Sequence, residues 1–375
     1  FLGPQRFDIL HRMHRGIDTI FHEPLIEFAG PQCLAADLRQ RAVLDAVAAG
    51  DHGNQFDRRF VPAMRRAQPR AYGMGDAGRK RLIGIDRDIS ARACVGQAKG
   101  DFMSKDYPTL TLNDDRQIPQ LGFGTWQIEE DKAADAVSTA LETGYWLIDT
   151  AAIYKNEKGV GEGIGDWADI FLQTKIWNES QGYDRTLKAA DKCLERLGRD
   201  HVDMLLIHWP CPDKGLFVET WKAFIELRDQ GKAKSIGVSN FREEDLKRIV
   251  DETGVVPALN QIELHPSFQQ RAMRKVHQDM GIVTQSWSPL GQGNGMDNDT
   301  IKAIADETGK SASAVIIRWH IQHGFSVLPR STNPDHIRDN YSALSFELSE
   351  EQMAKIDALD SEDGRMGPEP GKFND

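Results

Sequence analysis

Eight short apolar runs, each followed by a helix-like stretch, constrain the fold of this chain more than any other feature. The runs are continuously apolar rather than alternating, which is typical of parallel strands buried on both faces. They cover residues 120–125, 146–151, 170–176, 204–209, 235–240, 258–263, 282–288 and 325–330. Eight consecutive strand–helix units predict a closed (β/α)8 barrel of the TIM type, in the α/β class.

Amphipathic patterns between the strands predict helices, and most of them stop at a glycine, the residue favoured after a helix C-terminus. The predicted helices cover residues 132–143, 187–197, 218–229, 243–252, 269–278, 299–308 and 313–322. The glycines that follow them are Gly144, Gly198, Gly254, Gly281, Gly309 and Gly324. Before the first strand, residues 109–112 and 117–119 predict a small β-hairpin that plugs one end of the barrel.

The glycine-rich stretch 159–165 resembles a dinucleotide-binding fingerprint only superficially. Ile164 stands where the third glycine of that fingerprint belongs, and no strand directly precedes the stretch. We interpret these glycines as allowing close helix packing, and we expect no Rossmann domain.

The composition changes near Met103. The chain of 375 residues has a formal net charge of −11, which divides into +4 for residues 1–102 and −15 for residues 103–375. All eight tryptophans follow Met103, and before it only short apolar patches occur, such as residues 41–49, with glycine, proline and arginine between them. We therefore expect a poorly ordered extension over 1–102, translated from upstream of a natural start at Met103, and one barrel domain over 103–375.

The composition also excludes several classes of protein. A chain that is 40% hydrophobic and 27% charged is typical of a globular protein. No apolar run approaches the roughly 18 residues of a membrane-spanning helix, and a net negative charge does not favour nucleic-acid binding. Four cysteines without metal-ligand spacing indicate a reduced, cytoplasmic protein without a metal site.

Four titratable residues follow the ends of three successive predicted strands: Asp149, Tyr154, Lys175 and His208. In a closed barrel the carboxyl ends of the strands carry the active site. Each residue alone is more readily explained as a turn residue, a solvated charge or a core side chain. All four together on consecutive strand ends favour a catalytic site.

The four residues suit protonation of a carbonyl oxygen during reduction. A tyrosine hydroxyl is a weak acid at neutral pH unless a nearby cation stabilises its phenolate. We expect Lys175 to supply that cation and lower the pKa of Tyr154, and Asp149 to keep the lysine charged. His208 can donate a hydrogen bond to an oxygen that gains negative charge.

Trp126, Trp177 and Trp209 each follow a strand end as well, and they can form the wall of an apolar substrate pocket. Two other hypotheses remain open. Lys175 could form a Schiff base in an aldolase, although the nearby Asp149 argues against the depressed pKa which that requires. The barrel could also be a non-catalytic cofactor sensor, because a fold does not fix a function.

Residues 104–375 resemble the aldo-keto reductase family, and specifically its bacterial group that includes 2,5-diketogluconate reductases. The resemblance rests on motifs that occur in order: LGFGTW (121–126), IDTAAIY (148–154), TKIW (174–177), LIHWP (206–210), GVSNF (237–241), NQIELHP (260–266), SWSPLG (286–291) and LPRSTNPDHIRDN (328–340). It implies a (β/α)8 barrel that binds NADPH without a Rossmann domain. It also implies a monomer that reduces an aldehyde or ketone to an alcohol.

The resemblance also implies residue roles. Tyr154 is the implied proton donor, Lys175 and Asp149 are its tuning pair, and His208 orients the substrate. Trp287 is implied to stack on the nicotinamide ring, beside residues that bind its carboxamide, the pyrophosphate and the adenosine 2′-phosphate. The implied cofactor set is Gly124, Thr125, Ser239, Asn240, Gln261, Trp287, Ser288, Leu290, Arg330, Ser331, Asn333, His336 and Asn340.

Two departures from the family pattern bear on cofactor choice. Arg330 replaces the usual lysine and can still hold a phosphate, whereas His336 replaces an arginine and gives up a fixed charge. We therefore expect NADPH to be preferred over NADH by a smaller margin than is usual. Short loops after Pro210 and Gly291 predict an open pocket for small or polar carbonyls, such as keto-sugar acids and α-keto-aldehydes.

Overall fold

The computed structural model describes residues 107–375, so the expectation for residues 1–102 lies outside the described residues. A short antiparallel hairpin opens this part, formed by β1 (Thr109–Thr111) and β2 (Gln117–Pro119). Eight parallel strands follow, and their order in the sheet is their order in the chain. They are β3 (Phe123–Gly124), β4 (Leu147–Asp149), β5 (Phe171–Ile176), β6 (Val202–Ile207), β7 (Ala233–Ser239), β8 (Leu259–Glu263), β9 (Val283–Trp287) and β10 (Ser326–Val327).

The sheet closes where β10 returns to the segment that leads into β3. The Val327 N–H donates to the carbonyl oxygen of Gln120 at 2.7 Å, and the Gly122 N–H donates to that of Val327 at 2.9 Å. The predicted (β/α)8 barrel is therefore confirmed. The two strands at this junction are shorter than predicted, and Pro329 contributes to that because it accepts from the Gly124 N–H but has no N–H to donate in return.

Helices alternate with the strands, and the predicted ones are all present with ends that differ by a few residues. They are α1 (Glu130–Thr143), α2 (Glu157–Ile164), α3 (Tyr183–Leu197), α4 (Phe217–Asp229), α5 (Glu243–Thr253), α6 (Arg271–Met280), α7 (Asp299–Thr308), α8 (Ala312–Gln322), α9 (Pro334–Tyr341) and α10 (Glu350–Asp357). The predicted glycines cap these helices in the left-handed conformation, except at α8. There His323 is the C-cap and Gly324 follows it with a φ of 75°.

The glycines of α2 allow that helix to approach its neighbours closely. A Cβ atom added at Gly159 or Gly163 would overlap a backbone carbonyl oxygen of α1, and one added at Gly161 would overlap that of Leu197 in α3. The interpretation of this stretch as a close-packing surface is therefore confirmed. Helix α2 itself was not among the predicted helices, because glycine has low helix propensity.

The hairpin fills the amino-terminal end of the barrel with apolar side chains. Leu112 and Ile118 are buried there in one cluster with Leu147, Met204 and Leu259 of the barrel strands. The predicted plug is thus present, and the polar interior of the barrel is left to the opposite, carboxyl end. Within residues 107–375, no helix is both long enough and apolar enough to cross a membrane.

Candidate active site

A cavity of about 720 Å³ lies at the carboxyl ends of the barrel strands, and three of the four predicted catalytic residues line it. Asp149 ends β4, Tyr154 ends the short 3-10 helix Ala152–Tyr154, and His208 directly follows β6. The fourth residue, Lys175 on β5, is completely buried beneath them. The parallel strands thus gather four side chains that are up to 59 residues apart in the chain.

Lys175 connects the carboxylate of Asp149 to the hydroxyl of Tyr154. Its Nζ atom lies 2.8 Å and 2.7 Å from the two carboxylate oxygens of Asp149, and it donates to the carbonyl oxygen of Thr150 at 2.9 Å. The same atom lies 3.3 Å from the hydroxyl oxygen of Tyr154. A cation is therefore in place beside the oxygen atom where a phenolate would form.

Burial dominates the protonation of both groups. It lowers the pKa of Lys175, and the charge of Asp149 partly offsets this effect. Burial, together with the negative charge of Asp149, raises the pKa of Tyr154 well above its usual value of 10.0. The expectation that Lys175 lowers the pKa of Tyr154 is wrong for this structure, because desolvation of the phenolate is the larger effect. The hydroxyl therefore keeps its proton at neutral pH.

His208 is a neutral side chain next to this hydroxyl. Burial, reinforced by the charge of Lys175, lowers the pKa of His208 well below 6.5. The imidazole stands edge-on to the ring of Tyr154, with a centroid distance of 5.7 Å, and edge-on to Trp177 at 5.1 Å. Its Nδ1 atom is buried and has no hydrogen-bond partner among residues 107–375. A neutral imidazole carries one N–H, which can be donated to a substrate oxygen.

Hydrogen bonds hold the indole of Trp287 in a fixed position at the cavity. Its Nε1–H donates to Asn240 Oδ1 at 2.8 Å, and the Asn240 amide donates to the carbonyl oxygen of His208 at 3.0 Å. Asn240 has a φ of 62°, and Ser288, which follows Trp287, has a φ of 48°. Side chains other than glycine are uncommon in this left-handed region, and such residues cluster at functional sites.

Most of the predicted cofactor and pocket residues line the same cavity. They are Gly124, Trp126, Trp177, Trp209, Ser239, Asn240, Gln261, Trp287, Ser288, Leu290 and Arg330. Thr125 is buried beneath it, where its hydroxyl donates to the carbonyl oxygen of Asp149 at 3.0 Å.

The remaining four predicted residues do not line this cavity. Ser331 and Asn340 are buried, whereas Asn333 and His336 are exposed. Asn333 caps helix α9 by accepting the N–H of Asp335 at 2.9 Å. The predicted roles of all these residues toward a cofactor stay predictions.

The carboxyl-terminal segment forms part of the cavity wall, which the sequence analysis did not predict. Met366 and Gly367 line the cavity, and the buried carboxylate of Glu263 accepts their two backbone N–H groups at 2.6 Å and 3.0 Å. Phe373 lies further along the segment, with its ring centroid 4.5 Å from that of Trp209. Glu263 ends β8, so the same strand-end signal that identified Asp149 could have found it.

Two buried glutamines below the rim were also missed. Gln173 and Gln285 lie inside β5 and β9, and both are fully buried. A signal for them exists in the sequence, because each stands two residues before a predicted site residue, Lys175 and Trp287. Side chains two residues apart in a strand point to the same face.

Comparison with known proteins agrees with this geometry. A sequence model of the "Aldo/keto reductase family" matches residues 120–361. A protein from Mycobacterium sp. (strain KMS) named "Aldo-keto reductase" is 49% identical over 272 residues, which cover 71% of this chain and 98% of that protein. The "Methylglyoxal reductase DkgA" of Escherichia coli (strain K12) is 42% identical over 270 residues, covering 70% and 97%.

Solved structures are similar as well. A variant of the protein Gox0644, described as a complex with NADPH, has a TM-score of 0.70 and 46% sequence identity, and the match covers 71% of this chain and 98% of that one. An aldo/keto reductase from Brucella melitensis has a TM-score of 0.66 and 52% identity, covering 68% and 98%. On the family match and these identities, the chain belongs to the aldo/keto reductase family.

Proposed function

We propose that this protein reduces small or polar aldehydes and ketones to alcohols with NADPH. The observation that carries the proposal is the position of the Tyr154 hydroxyl in a cavity, 3.3 Å from the Nζ of Lys175 and beside the neutral ring of His208. A protonated phenol, a neighbouring cation and a neutral hydrogen-bond donor are the groups that protonation of a carbonyl oxygen needs.

The residues at the cavity fit a nicotinamide cofactor. The indole of Trp287 is fixed by Asn240 and offers a flat surface to a planar ring, and Ser239, Asn240 and Gln261 lie next to it. Arg330 also lines the cavity; its guanidinium donates to two neutral oxygens, and within residues 107–375 no carboxylate forms an ion pair with it, so its charge can serve a phosphate. The complex of the related Gox0644 variant with NADPH supports the same choice of cofactor.

When bound, NADPH supplies a hydride to the carbonyl carbon, and the side chains of this protein handle the oxygen. His208 donates a hydrogen bond that orients the carbonyl group. Tyr154 gives its proton to the oxygen as negative charge develops there. Lys175 stabilises the resulting phenolate, and Asp149 holds the ammonium group at the required distance.

The proposed substrates are small carbonyl compounds with a polar end, such as α-keto-aldehydes or diketo-sugar acids. The pocket wall combines the aromatic rings of Trp177 and Trp209, against which Phe373 packs, with the polar groups of the rim. The printed name of the Escherichia coli relative, a methylglyoxal reductase, supports an α-keto-aldehyde in particular.

A panel of carbonyl compounds tests the proposal. Methylglyoxal, 2,5-diketogluconate and a simple aldehyde are each incubated with the protein and NADPH, and the absorbance of NADPH is followed. We expect it to be consumed with at least one of the two dicarbonyls, and the alcohol to be recovered as the product. Binding of NADPH without turnover of any carbonyl would contradict the proposal and favour a cofactor-sensing barrel.

An aldolase that uses Lys175 is the second alternative, and the geometry disfavours it. Burial lowers the pKa of this lysine despite the nearby Asp149, contrary to the expectation from sequence. Its Nζ is nevertheless completely buried and donates to Asp149 and Thr150, so a substrate carbonyl has no access to it. Treatment with borohydride in the presence of each carbonyl distinguishes the two reactions. A mass increase located on Lys175 would contradict the reductase proposal.

A further inference from the structure

A layer of buried amide groups lies inside the barrel directly below the rim. Gln173, Gln261 and Gln285 come from β5, β8 and β9, and each is at most 2% exposed. The strand register places them at one level, since Asp149 is the register partner of Gln173, and Gln261 that of Gln285. Ser326 of β10 is in turn the partner of Gln285. We call these three glutamines the amide layer.

The amide layer is hydrogen-bonded to the carboxylate of Asp149. The Nε2 of Gln173 donates to Asp149 Oδ1 at 2.6 Å and to Gln285 Oε1 at 2.7 Å. The Nε2 of Gln261 makes the same pair of bonds, at 3.1 Å and 2.7 Å. Gln285 accepts from both amides and donates its own N–H to the hydroxyl oxygen of Ser326 at 3.0 Å. The amides of Gln173 and Gln261 thus both donate to Asp149, and both also donate to the same acceptor, Gln285 Oε1.

The negative charge of Asp149 fixes the orientation of the whole layer. If Gln173 were rotated, its amide oxygen would face two acceptors, Asp149 Oδ1 and Gln285 Oε1, and both bonds would become repulsive. The same argument applies to Gln261. Gln285 must then present its oxygen to both, which leaves its N–H for Ser326.

A buried ion pair needs more than its own two charges. The desolvation cost of two buried ions is offset only when further hydrogen bonds satisfy their remaining lone pairs. Lys175 takes one position on each oxygen of Asp149, and the two amides donate to Oδ1 where water would otherwise be needed. We infer that Gln173 and Gln285 are positioning residues that keep Asp149, and through it Lys175, in place beneath the Tyr154 hydroxyl. This inference rests on the proposed reductase function.

Substitution by leucine removes these bonds without adding a polar group. Gln173→Leu deletes one donor to Asp149, and Gln285→Leu deletes the shared acceptor and leaves two buried N–H groups unpaired. We expect kcat to fall by about tenfold to a hundredfold in Gln173→Leu, as for loss of a hydrogen bond to a buried charge, and by about tenfold in Gln285→Leu, which leaves the donors to Asp149 present but unpairs one N–H group of each. Gln173 neither lines the cavity nor bonds to a predicted cofactor residue, so in Gln173→Leu the Kd of NADPH, measured by quenching of tryptophan fluorescence, should change by less than about threefold.

Gln120→Leu is a matched control. Gln120 is a buried glutamine of the same barrel, but its amide donates to the carbonyl oxygen of Ile321 at 3.0 Å, far from the rim. We expect this variant to lose thermal stability and to keep its kcat. The comparison therefore separates a loss of packing from a loss of positioning.

Gln285→Glu is the rescue variant. Its readout is the pH dependence of kcat, which should match that of the wild type if Gln285 had only a structural role. A carboxyl group buried beside Asp149 favours its neutral acid form, whose C=O accepts from Gln173 and Gln261 and whose O–H donates to Ser326. The charged and titratable groups around the layer are Asp149, Lys175, Tyr154, His208 and Glu157. We expect kcat near that of the wild type at low pH, and a growing deficit relative to the wild type as the introduced acid ionises.

The outcomes are distinct. Absence of carbonyl reduction by the wild type contradicts the proposed function. Wild-type reduction, with kcat of Gln173→Leu and Gln285→Leu within about twofold of Gln120→Leu, contradicts the positioning role alone. A pH profile for Gln285→Glu that parallels the wild type with kcat reduced at every pH contradicts it as well, because the neutral acid form would then fail to replace the amide.

Discussion

Burial affects the pKa values of the individual side chains in this site more than neighbouring charges do. Tyr154 and His208 both lie near Lys175, yet desolvation is the largest effect on the pKa of each. As a result the phenol is protonated and the imidazole is neutral at neutral pH. This is the pair of states that a proton donor and a hydrogen-bond donor to a carbonyl require.

We propose that Arg330 and His336 set the preference between NADPH and NADH. The Arg330 guanidinium donates to the carbonyl oxygen of Trp126 at 2.9 Å and to Gln127 Oε1 at 3.1 Å, so it is held at the cavity edge. We expect Arg330→Ala to lower kcat/KM for NADPH by about tenfold through loss of a charge-assisted bond to phosphate, and to leave kcat/KM for NADH unchanged. The measurement is steady-state kinetics with both cofactors.

His336→Arg is the reciprocal test. This exposed residue follows the helix start at Pro334, and we propose that an arginine there would add a fixed charge near the phosphate that Arg330 is proposed to bind. The ratio of kcat/KM for NADPH to that for NADH should rise. A wild-type protein that prefers NADH would contradict this account of Arg330.

At the scale of elements, the carboxyl-terminal segment packs on Trp287. A Cβ atom added at Gly367 would overlap the indole ring of Trp287, and it would lie 3.0 Å from Glu263 Oε2. We expect Gly367→Ala to displace the indole or the segment, to weaken NADPH binding several-fold and to change the tryptophan emission. Gly371→Ala is the matched control, because its added Cβ is similarly tight but meets the guanidinium of Arg242 rather than Trp287. Equal NADPH Kd values for the two variants would contradict the packing argument.

Helix α6 is tied to the barrel by a buried histidine. The Nε2 of His277 accepts from the Asn260 amide at 2.9 Å, and its Nδ1 meets the Thr284 hydroxyl at 2.8 Å. Both nitrogens are used by the neutral ring, and burial lowers the pKa of His277 to about 4. Protonation would place an N–H against the Asn260 amide and break this contact.

Stability should therefore fall in acid. A histidine in the unfolded chain has a pKa of about 6.5, so it binds a proton before the folded protein does as the pH falls. Between pH 7 and pH 5, His277 alone should therefore lower the free energy of unfolding by about 2 kcal/mol. Urea unfolding of the wild type and of His277→Gln at both pH values measures this, since a neutral amide can replace both bonds. The exposed His201→Gln serves as control. If His277→Gln and the wild type lose equal stability, another group is responsible.

The alternation of strands and helices could be predicted from the sequence because buried parallel strands and helix caps leave local sequence patterns. The same rule located Asp149, Lys175 and His208, since the ends of successive strands meet on one rim. Contacts between distant segments left no local signal. The seating of the carboxyl-terminal segment on Glu263 and Trp287 depends on the folded barrel, and no spacing in the sequence indicates it.

At the scale of the whole molecule, the described residues form one barrel with an apolar plug at its amino-terminal end and a polar layer at the other. The raised pKa of Tyr154 shows why the position of the site, but not the protonation of its residues, could be predicted from the sequence. Its charged neighbours are visible in the motifs, but the depth of its burial follows from the packing of the barrel.

In the proposed reaction Tyr154 gives its proton to a carbonyl oxygen, and Tyr154→Phe removes that proton. Removal of a general acid costs about a hundredfold to ten-thousandfold in rate, so turnover of methylglyoxal with NADPH should fall by that much while the Kd of NADPH is maintained. Tyr183→Phe, at an exposed tyrosine of α3, should behave as the wild type. Retention of most of the wild-type turnover by Tyr154→Phe would contradict the account.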